Sequence, residues 1–584
     1  MFKIVQQNNQ YFLKTQFSES DNFYEISLDL RKFKIYYDKK NQGFKIQNLD
    51  LIKLLKFKGY QFSNYSQFIS DKQELIESET DYFRREVFNE SILKQKPYNY
   101  QREDIDWLIK KSRNFIASDP GTGKTFEAIS WFSHLRKQNK IKGIFVVVKN
   151  ILQYHWFREI LEYSNLFSEN EIGIVDNKNK HDFLKNEIIP YIIIIPNHAP
   201  VLSTFVESNE KNISKLKDYC LVIDEVHEFS NYESKRTKSL ENIIHLFQFR
   251  LFLSATPALN DYSKWFTLMR LLDKGIIQHN SLLGFSLDVG KFIGDKFNPF
   301  KVLSYNKERV QYYNQLFRGW VIKRIKSELP EMKTKQLIKP IWFQLSNKHK
   351  AIVNLVKELE LEKVDLKTLT YSTIQNNFPY MVMALENPEL LKTKIKETDR
   401  DLFYQPLKKL LDSWKMDDHN KVIYLDEYLK EKIEVESQKI IVYDTHPVTL
   451  NQLSERYSKY NPTMIHGELK LTNEDRQKII DDFNNPKSKT KLLLLNVQSA
   501  SSGLSLNKGG CKIIIFFTLS FDAILTRQGF DRVFRINSIE DSFVELLTFD
   551  KSLDSIRLKK TLNRIEFNDG MFSNEINLDE LLKI

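Results

Sequence analysis

The residues with the clearest chemical purpose are Ser118-Asp119-Pro120-Gly121-Thr122-Gly123-Lys124-Thr125. They follow an apolar run, Asn114–Ala117, and precede a helical pattern over Phe126–Leu135. Glycines at 121 and 123 let a backbone turn its N–H groups inward, and a helix N-terminus adds positive partial charge. Strand, loop and helix together therefore suit a bound phosphate. Lys124 can reach β- and γ-phosphates, and Thr125 can offer its hydroxyl to Mg2+. Asp119, Gly121, Thr122, Gly123, Lys124 and Thr125 form the candidate nucleotide cradle. The same letters arise by chance in Lys-rich chains; the strand-loop-helix setting is what argues for ATP.

A second cluster, Asp224-Glu225-Val226-His227, directly follows the apolar run Cys220–Ile223. A strand-end Asp can hold Mg2+ through water, and the adjacent Glu225 can orient and deprotonate an attacking water. His227 is read as a link to the next motif. A D-E pair at a strand end can also be a helix cap with a charged neighbour, so this pair gains meaning only beside the phosphate loop. Asp224 and Thr125 are the candidate metal-binding residues, and Lys124, Asp224 and Glu225 candidate catalytic ones.

These motifs need a scaffold. Apolar runs at Asn114–Ala117, Gly143–Val148, Tyr191–Ile195, Cys220–Ile223 and Arg250–Leu253 have the texture of parallel strands covered on both faces. It returns at Lys439–Tyr443, Lys491–Asn496 and Lys512–Phe517, and helical periodicity dominates about 265–430 between the two sets. Before Lys96 the alternation at Tyr24–Leu30, Lys32–Tyr37 and Phe44–Gln47 predicts strands, with a turn at 38–43 and helices at about 50–57 and 70–94. The expected fold class is α/β: two parallel-sheet lobes with helical insertions, plus a small N-terminal α+β domain.

The 584 residues suit two to four domains. Lys+Arg 87 against Asp+Glu 76 gives +11, a balance that favours a polyanionic partner. Two cysteines, Cys220 and Cys511, exclude a disulfide framework or a zinc site and agree with a reducing compartment. The N-terminus carries no apolar signal core, and no run of eighteen apolar residues exists. The expectation is a cytoplasmic or host-cell-interior protein.

Further motifs follow in order. Ser254-Ala-Thr256-Pro, His466-Gly467 with Arg476 and Phe483, Ser502-Gly503-Leu504-Ser505-Leu506-Asn507, and Gln528-Gly-Phe-Asp-Arg532-Val-Phe-Arg535 resemble the successive motifs of superfamily 2 helicases. Tyr100-Gln101 with Trp107-Leu108, Ile144–Val148 with Trp156 and Glu159-Ile160, Arg324 with Leu329-Pro330, Leu385–Leu391, and Lys421 with Leu425 and Leu429 are similar to the Swi/Snf-type branch. The resemblance covers roughly 96–584. Departures bear on the branch: the family's usual D-E-x-G-x-G-K-T is here Asp119-Pro-Gly-Thr-Gly-Lys-Thr125, Ser501-Ser502 replaces a glycine element, and Leu519–Asp522 replaces a Trp-Asn-Pro stretch. Arg527–Asn537 also resembles the poxviral nucleoside triphosphatase I, which makes a viral, phage or plasmid protein an option.

The resemblance implies RecA-like lobes: 1–95 accessory, 96–325 lobe one with a helical protrusion, 326–550 lobe two with a helical insertion at about 345–430, and 551–584 a closing helical segment. It implies an ATPase using Mg2+, with Arg532 and Arg535 stabilising charge on the γ-phosphate as fixed guanidinium forks. Gln101 would read the adenine edge, and Gly503 and Gln528 would lie at the nucleotide. Lys149, Asn150, Asn197, His198, Ser254, Thr256, Thr445 and His446 are loop-exposed candidates for nucleic-acid contact, mainly to phosphates. DNA, duplex favoured, is the implied partner, moved along by ATP-driven translocation. A transcription-associated or RNA-directed motor, and an inactive binding scaffold, are the competing readings.

Overall fold

The computed structural model describes residues 2–7, 10–15, 30, 35–38, 41–46, 55, 60, 62–63, 87–257, 261–277, 279–293, 302–361, 379–392, 394, 401–498, 506–536 and 538–570. Its contacts group the chain into two units: Met1–Ala117 with Thr125–Lys323, and Ser118–Lys124 with Arg324–Ile584. The phosphate loop is thus counted with the second unit.

The first unit opens with an antiparallel sheet of β1 (Phe2–Gln7), β2 (Gln10–Thr15), β3 (Tyr36–Asp38) and β4 (Gly43–Ile46), in the order β1-β2-β4-β3. Phe2 and Ile4 point inward while Lys3 is exposed, the period-two pattern of a half-buried strand. Asp38 holds the following turn by accepting from Asn41 N and Nδ2, both at 3.1 Å. The expectations for this region need correction. β1 and β2 were not anticipated. Leu30, the one described residue of the expected strand at 24–30, is helical, and the rest lies outside the described residues. Of the expected helix at 70–94, residues 70–86 lie outside the described residues, and 87–94 hold only a 3-10 turn, Glu90–Ile92. Asn89 caps that turn through Ser91 N at 3.0 Å, and Pro97 follows closely, so no longer helix forms.

A seven-stranded sheet forms the body of this unit. Its members are β5 (Arg113–Ile116), β6 (Gly143–Val148), β7 (Ile172–Ile174), β8 (Ile192–Pro196), β9 (Tyr219–Ile223), β10 (Arg250–Leu253) and, after a short antiparallel pair β11 (Gly290–Ile293) and β12 (Val302–Tyr305), β13 (Val321–Ile322). The order is β13-β5-β10-β9-β6-β8-β7, with every pairing parallel. Strands β5, β6, β8, β9 and β10 are buried along their whole length, which is why continuous apolar runs encode them. β7 and β13 are too short to leave such a run. Helix Lys124–Lys137 buries Ala128, Ile129, Trp131, Phe132 and Leu135 in the same core as Ile144, Val146 and Val222. Each such aliphatic side chain contributes roughly 1.5–3 kcal/mol on burial.

The second unit carries a six-stranded parallel sheet: β14 (Gln336–Phe343), β15 (Ile440–Asp444), β16 (Thr463–Ile465), β17 (Leu492–Asn496), β18 (Ile513–Phe516) and β19 (Ser542–Phe549), ordered β14-β19-β18-β15-β17-β16. β14 lies at the sheet edge and pairs with β19 over its full length. An edge position tolerates Pro340, the residue that hides this strand from a propensity reading. β11, β12, β13 and β14 therefore interrupt the stretch at about 265–430 that was expected to be mainly helical. Helices Asn347–Leu361, Pro379–Glu386 and Asp401–Asp412 build a core of their own from Ile352, Val356, Ala384, Leu407 and Leu411, joined by Leu391 and Trp414 from the segments that follow the second and third helices. Helix Leu553–Gly570 closes the described chain. Among the described residues no helix is long and apolar enough to cross a membrane.

Candidate active site

In the first unit β5, β10 and β9 are neighbours, so their carboxyl ends lie side by side, and the candidate motifs follow those ends. This is where open parallel sheets place ligands. Asp224 continues β9, with its N–H on Val147 O at 2.9 Å. Its carboxylate is held at both oxygens: Trp156 Nε1 donates to Oδ2 at 3.0 Å, and Glu225 N donates to Oδ1 at 2.9 Å. Trp156 is fully buried. Glu225 adopts φ 52°, a left-handed conformation that strains a non-glycine residue by roughly 1–2 kcal/mol. The Glu225 side chain meets His227, whose Nδ1 lies 3.2 Å from Glu225 Oε2 and 3.1 Å from Ser254 Oγ. Ser254 is itself fixed by its N–H on Ile116 O at 3.0 Å, and its Oγ accepts from Thr256 N at 3.2 Å. The acidic pair is thereby joined through His227 to the Ser-Ala-Thr motif.

The phosphate loop has the backbone its glycines allow: Gly121 at φ 81° and Gly123 at φ 87°. Lys124 begins the following helix, and its Nζ donates to Ser118 O at 2.8 Å and Asp119 O at 3.0 Å. Thr122 is buried and donates its hydroxyl to Asp119 O at 2.9 Å. Positive-φ glycines, a helix start and a lysine on one loop suit a polyphosphate, and the Thr125 hydroxyl with the Asp224 carboxylate are the hard oxygen donors magnesium takes.

The carboxylate of Asp119 is turned elsewhere. Its Oδ2 accepts from Lys326 N at 2.9 Å and lies 3.6 Å from Arg527. Ser118 Oγ accepts from Arg324 N at 3.0 Å, and Asp119 N donates to Arg324 O at 3.0 Å. Ser118 and Asp119 therefore clasp the backbone of 324–326. Lys326 is 1% exposed; its Nζ donates to Asp531 Oδ1 at 2.5 Å and Phe534 O at 2.8 Å. Burial lowers the lysine pKa, with Asp531 and Asp119 opposing it. Removing one partner of such a buried pair destabilises by about 3–5 kcal/mol.

Arg532 is 6% exposed, and its carbonyl accepts from Leu506 N at 3.1 Å. The Arg535 side chain passes the loop: a Cβ placed on Gly121 would come within 3.3 Å of Arg535 Cδ. Gln528 is buried in helix Ala523–Phe530. Gln101 sits in the first turn of helix Asn99–Leu108, and its Oε1 accepts from Tyr98 N at 3.0 Å. Gly503, with Ser501, Ser502, Leu504 and Ser505, lies outside the described residues.

The nucleic-acid candidates divide by exposure. Asn150 and His198 are exposed, and Lys149, Thr445 and His446 are half-buried. Asn197, Ser254 and Thr256 are buried, against the expectation that all were loop-exposed. Ser254 directly follows β10 and Asn197 follows β8, and main-chain bonds to Ile116 O and Val148 O hold them inside the sheet edge, with Thr256 N held by Ser254 Oγ. His446 Nε2 is 2.6 Å from Glu386 Oε2, and Glu386 also pairs with the fully buried Arg557. Burial draws the His446 pKa down, but Glu386 outweighs it and the net shift is upward. Burial pushes neighbouring Asp444 up to about 6. Sequence reasoning missed Lys326, Arg527, Asp531 and Glu386 as members of this chemistry, because each acts through a partner distant in the chain.

The SNF2-related domain family matches residues 100–390, and the Helicase conserved C-terminal domain family matches residues 420–537. The chain belongs to the SNF2-related family of superfamily 2 helicases. It is 24% identical to the ISWI chromatin-remodeling complex ATPase ISW1 of Saccharomyces cerevisiae, over 81% of this chain and 42% of that protein. It is 23% identical to the ATP-dependent DNA helicase DDM1 of Arabidopsis thaliana, over 80% of this chain and 61% of that protein. The chain thus spans about half the length of the curated relatives it matches. A solved structure, the Sulfolobus solfataricus SWI2/SNF2 ATPase core in complex with dsDNA, is matched over 85% of this chain and 98% of that one at 19% identity and a TM-score of 0.37.

Proposed function

We propose that the chain is a DNA-dependent ATPase that translocates on duplex DNA and so remodels DNA or displaces bound proteins. The observation that carries the reading is the series of polar contacts Trp156–Asp224–Glu225–His227–Ser254 at the carboxyl ends of adjacent strands, beside the end of the strand that leads into the phosphate loop. The loop N–H groups and Lys124 bind the phosphates. Glu225 takes a proton from water as the water oxygen attacks the γ-phosphorus and the bond to the leaving ADP oxygen breaks. Arg532 and Arg535 stabilise the charge that develops on the transferred group. Thr125 and Asp224 are the residues that would hold magnesium, which when bound would neutralise charge on the phosphate oxygens.

Duplex DNA is the partner this reading favours, since two similar proteins bear names of a DNA helicase and a chromatin-remodeling ATPase, and the net charge of +11 suits a phosphate backbone. Asn150, His198, Lys149, Thr445 and His446 remain the proposed backbone contacts. The test is displacement of a third strand from a DNA triplex. Release that needs ATP and duplex flanking the triplex supports translocation; ATP turnover without any strand release contradicts it.

A further inference from the structure

We propose that Lys326 is the positioning residue that sets Arg532 and Arg535 against the phosphate loop, an inference that rests on the ATPase reading above. Lys326 begins the 3-10 turn Lys326–Glu328. The backbone leading to it runs along the loop: Arg324 N on Ser118 Oγ, Asp119 N on Arg324 O, and Lys326 N on Asp119 Oδ2, all within 3.0 Å. The backbone end of this residue is therefore fixed to the loop, through the Asp119 carboxylate.

Its other end is fixed to the arginine segment. Nζ donates to Asp531 Oδ1 at 2.5 Å and to Phe534 O at 2.8 Å, and it lies 4.6 Å from the centre of the Phe534 ring. Asp531 directly precedes Arg532, and Phe534 directly precedes Arg535. One ammonium thus holds the residue before each arginine. Arg527 closes the circuit, with Nε 3.3 Å from Asp531 Oδ2 and a terminal nitrogen 3.6 Å from Asp119 Oδ2. Two cations and two carboxylates balance. Gln336 Nε2 adds a bond to Phe530 O at 2.7 Å on the same segment.

A buried ion pair is weak evidence for stability, because apolar residues of similar volume often serve as well. What an apolar replacement lacks is direction. Two hydrogen bonds from one tetrahedral nitrogen specify where Asp531 and Phe534 stand relative to the loop, and so where the two guanidinium groups start.

The experiment uses the full chain and three variants: Lys326→Met, Asp531→Asn and the double variant, in which no uncompensated charge is left on this pair. Steady-state ATPase on duplex DNA is expected to show kcat reduced about tenfold or more in the double variant, with KM for ATP within about threefold of wild type. A double variant with wild-type kcat overturns the proposal. Amide exchange gives a readout independent of turnover. In Lys326→Met, exchange across 118–124 and 528–536 is expected to rise together while the strands β6 and β9 stay protected; unchanged protection of both segments overturns the proposal. Loss of protection in a chain that hydrolyses no ATP at all would count against the ATPase reading while leaving the positioning role standing.

Discussion

Trp156 and Asp224 meet through a hydrogen bond of 3.0 Å from the indole Nε1 to carboxylate Oδ2, joining helix Gln153–Tyr163 to the end of β9. With Glu225 N on the other oxygen, the carboxylate has one orientation. Trp156→Phe keeps most of the buried volume and removes the donor. A bond to a charged acceptor contributes roughly 1.5–3 kcal/mol. The expected result is a fall of about tenfold in kcat with a raised magnesium requirement, measured by titrating MgCl2 at saturating ATP. Unchanged magnesium dependence would show that the indole only fills space.

Arg535 passes over Gly121, and it is the residue expected to meet charge that forms only during phosphoryl transfer. Arg535→Ala is therefore expected to slow single-turnover hydrolysis by about 1,000-fold, as for other arginines in this role. Binding of a fluorescent ATP analogue is expected to weaken only several-fold. Equal losses in binding and hydrolysis would remove Arg535 from the transition state.

His349 gives the second unit an acid-sensitive spot. It is fully buried, Nε2 donates to Ala384 O at 2.8 Å, and burial pulls its pKa down to about 4. Buried His419, 5.1 Å away between ring centres, is shifted downward as well. A group with a depressed folded pKa binds its proton first in the unfolded chain. Stability is fully present above the ordinary histidine value of 6.5 and is lost as pH falls from there toward 4. For His349 the loss is on the order of 3 kcal/mol when complete. Chemical denaturation at pH 7 and pH 5 should show it, and His349→Gln, which retains a donor but takes up no proton, should flatten the dependence. An equally steep variant would place the acid sensitivity elsewhere.

The parts of this fold that were legible in the amino-acid sequence are those whose information is local. β6 and β10 fall on the expected residues, since a strand buried on both faces must be an unbroken apolar run. The phosphate loop was legible for the same reason: its glycines, lysine and threonine are contiguous. β13 and β7, of two and three residues, leave no pattern, and Pro340 disguises β14. The site was half legible. The motif members stood out, but Lys326 and Asp531 are 205 residues apart, and a lysine in a lysine-rich chain announces nothing about its partner. Exposure failed for Asn197 and Ser254 because a residue just beyond a parallel strand still donates its N–H to the neighbouring strand, and Thr256 is then held by the Ser254 hydroxyl.

An ATP-driven motor acting on duplex DNA is tested most directly by ATP turnover with duplex DNA, single-stranded DNA and RNA added in turn. Duplex DNA is expected to stimulate turnover strongly and RNA little, and Lys124→Ala is expected to show no turnover although it still binds DNA. Turnover indifferent to duplex DNA, or stimulated mainly by RNA, would contradict a duplex-DNA motor; undiminished turnover in Lys124→Ala would contradict the site itself.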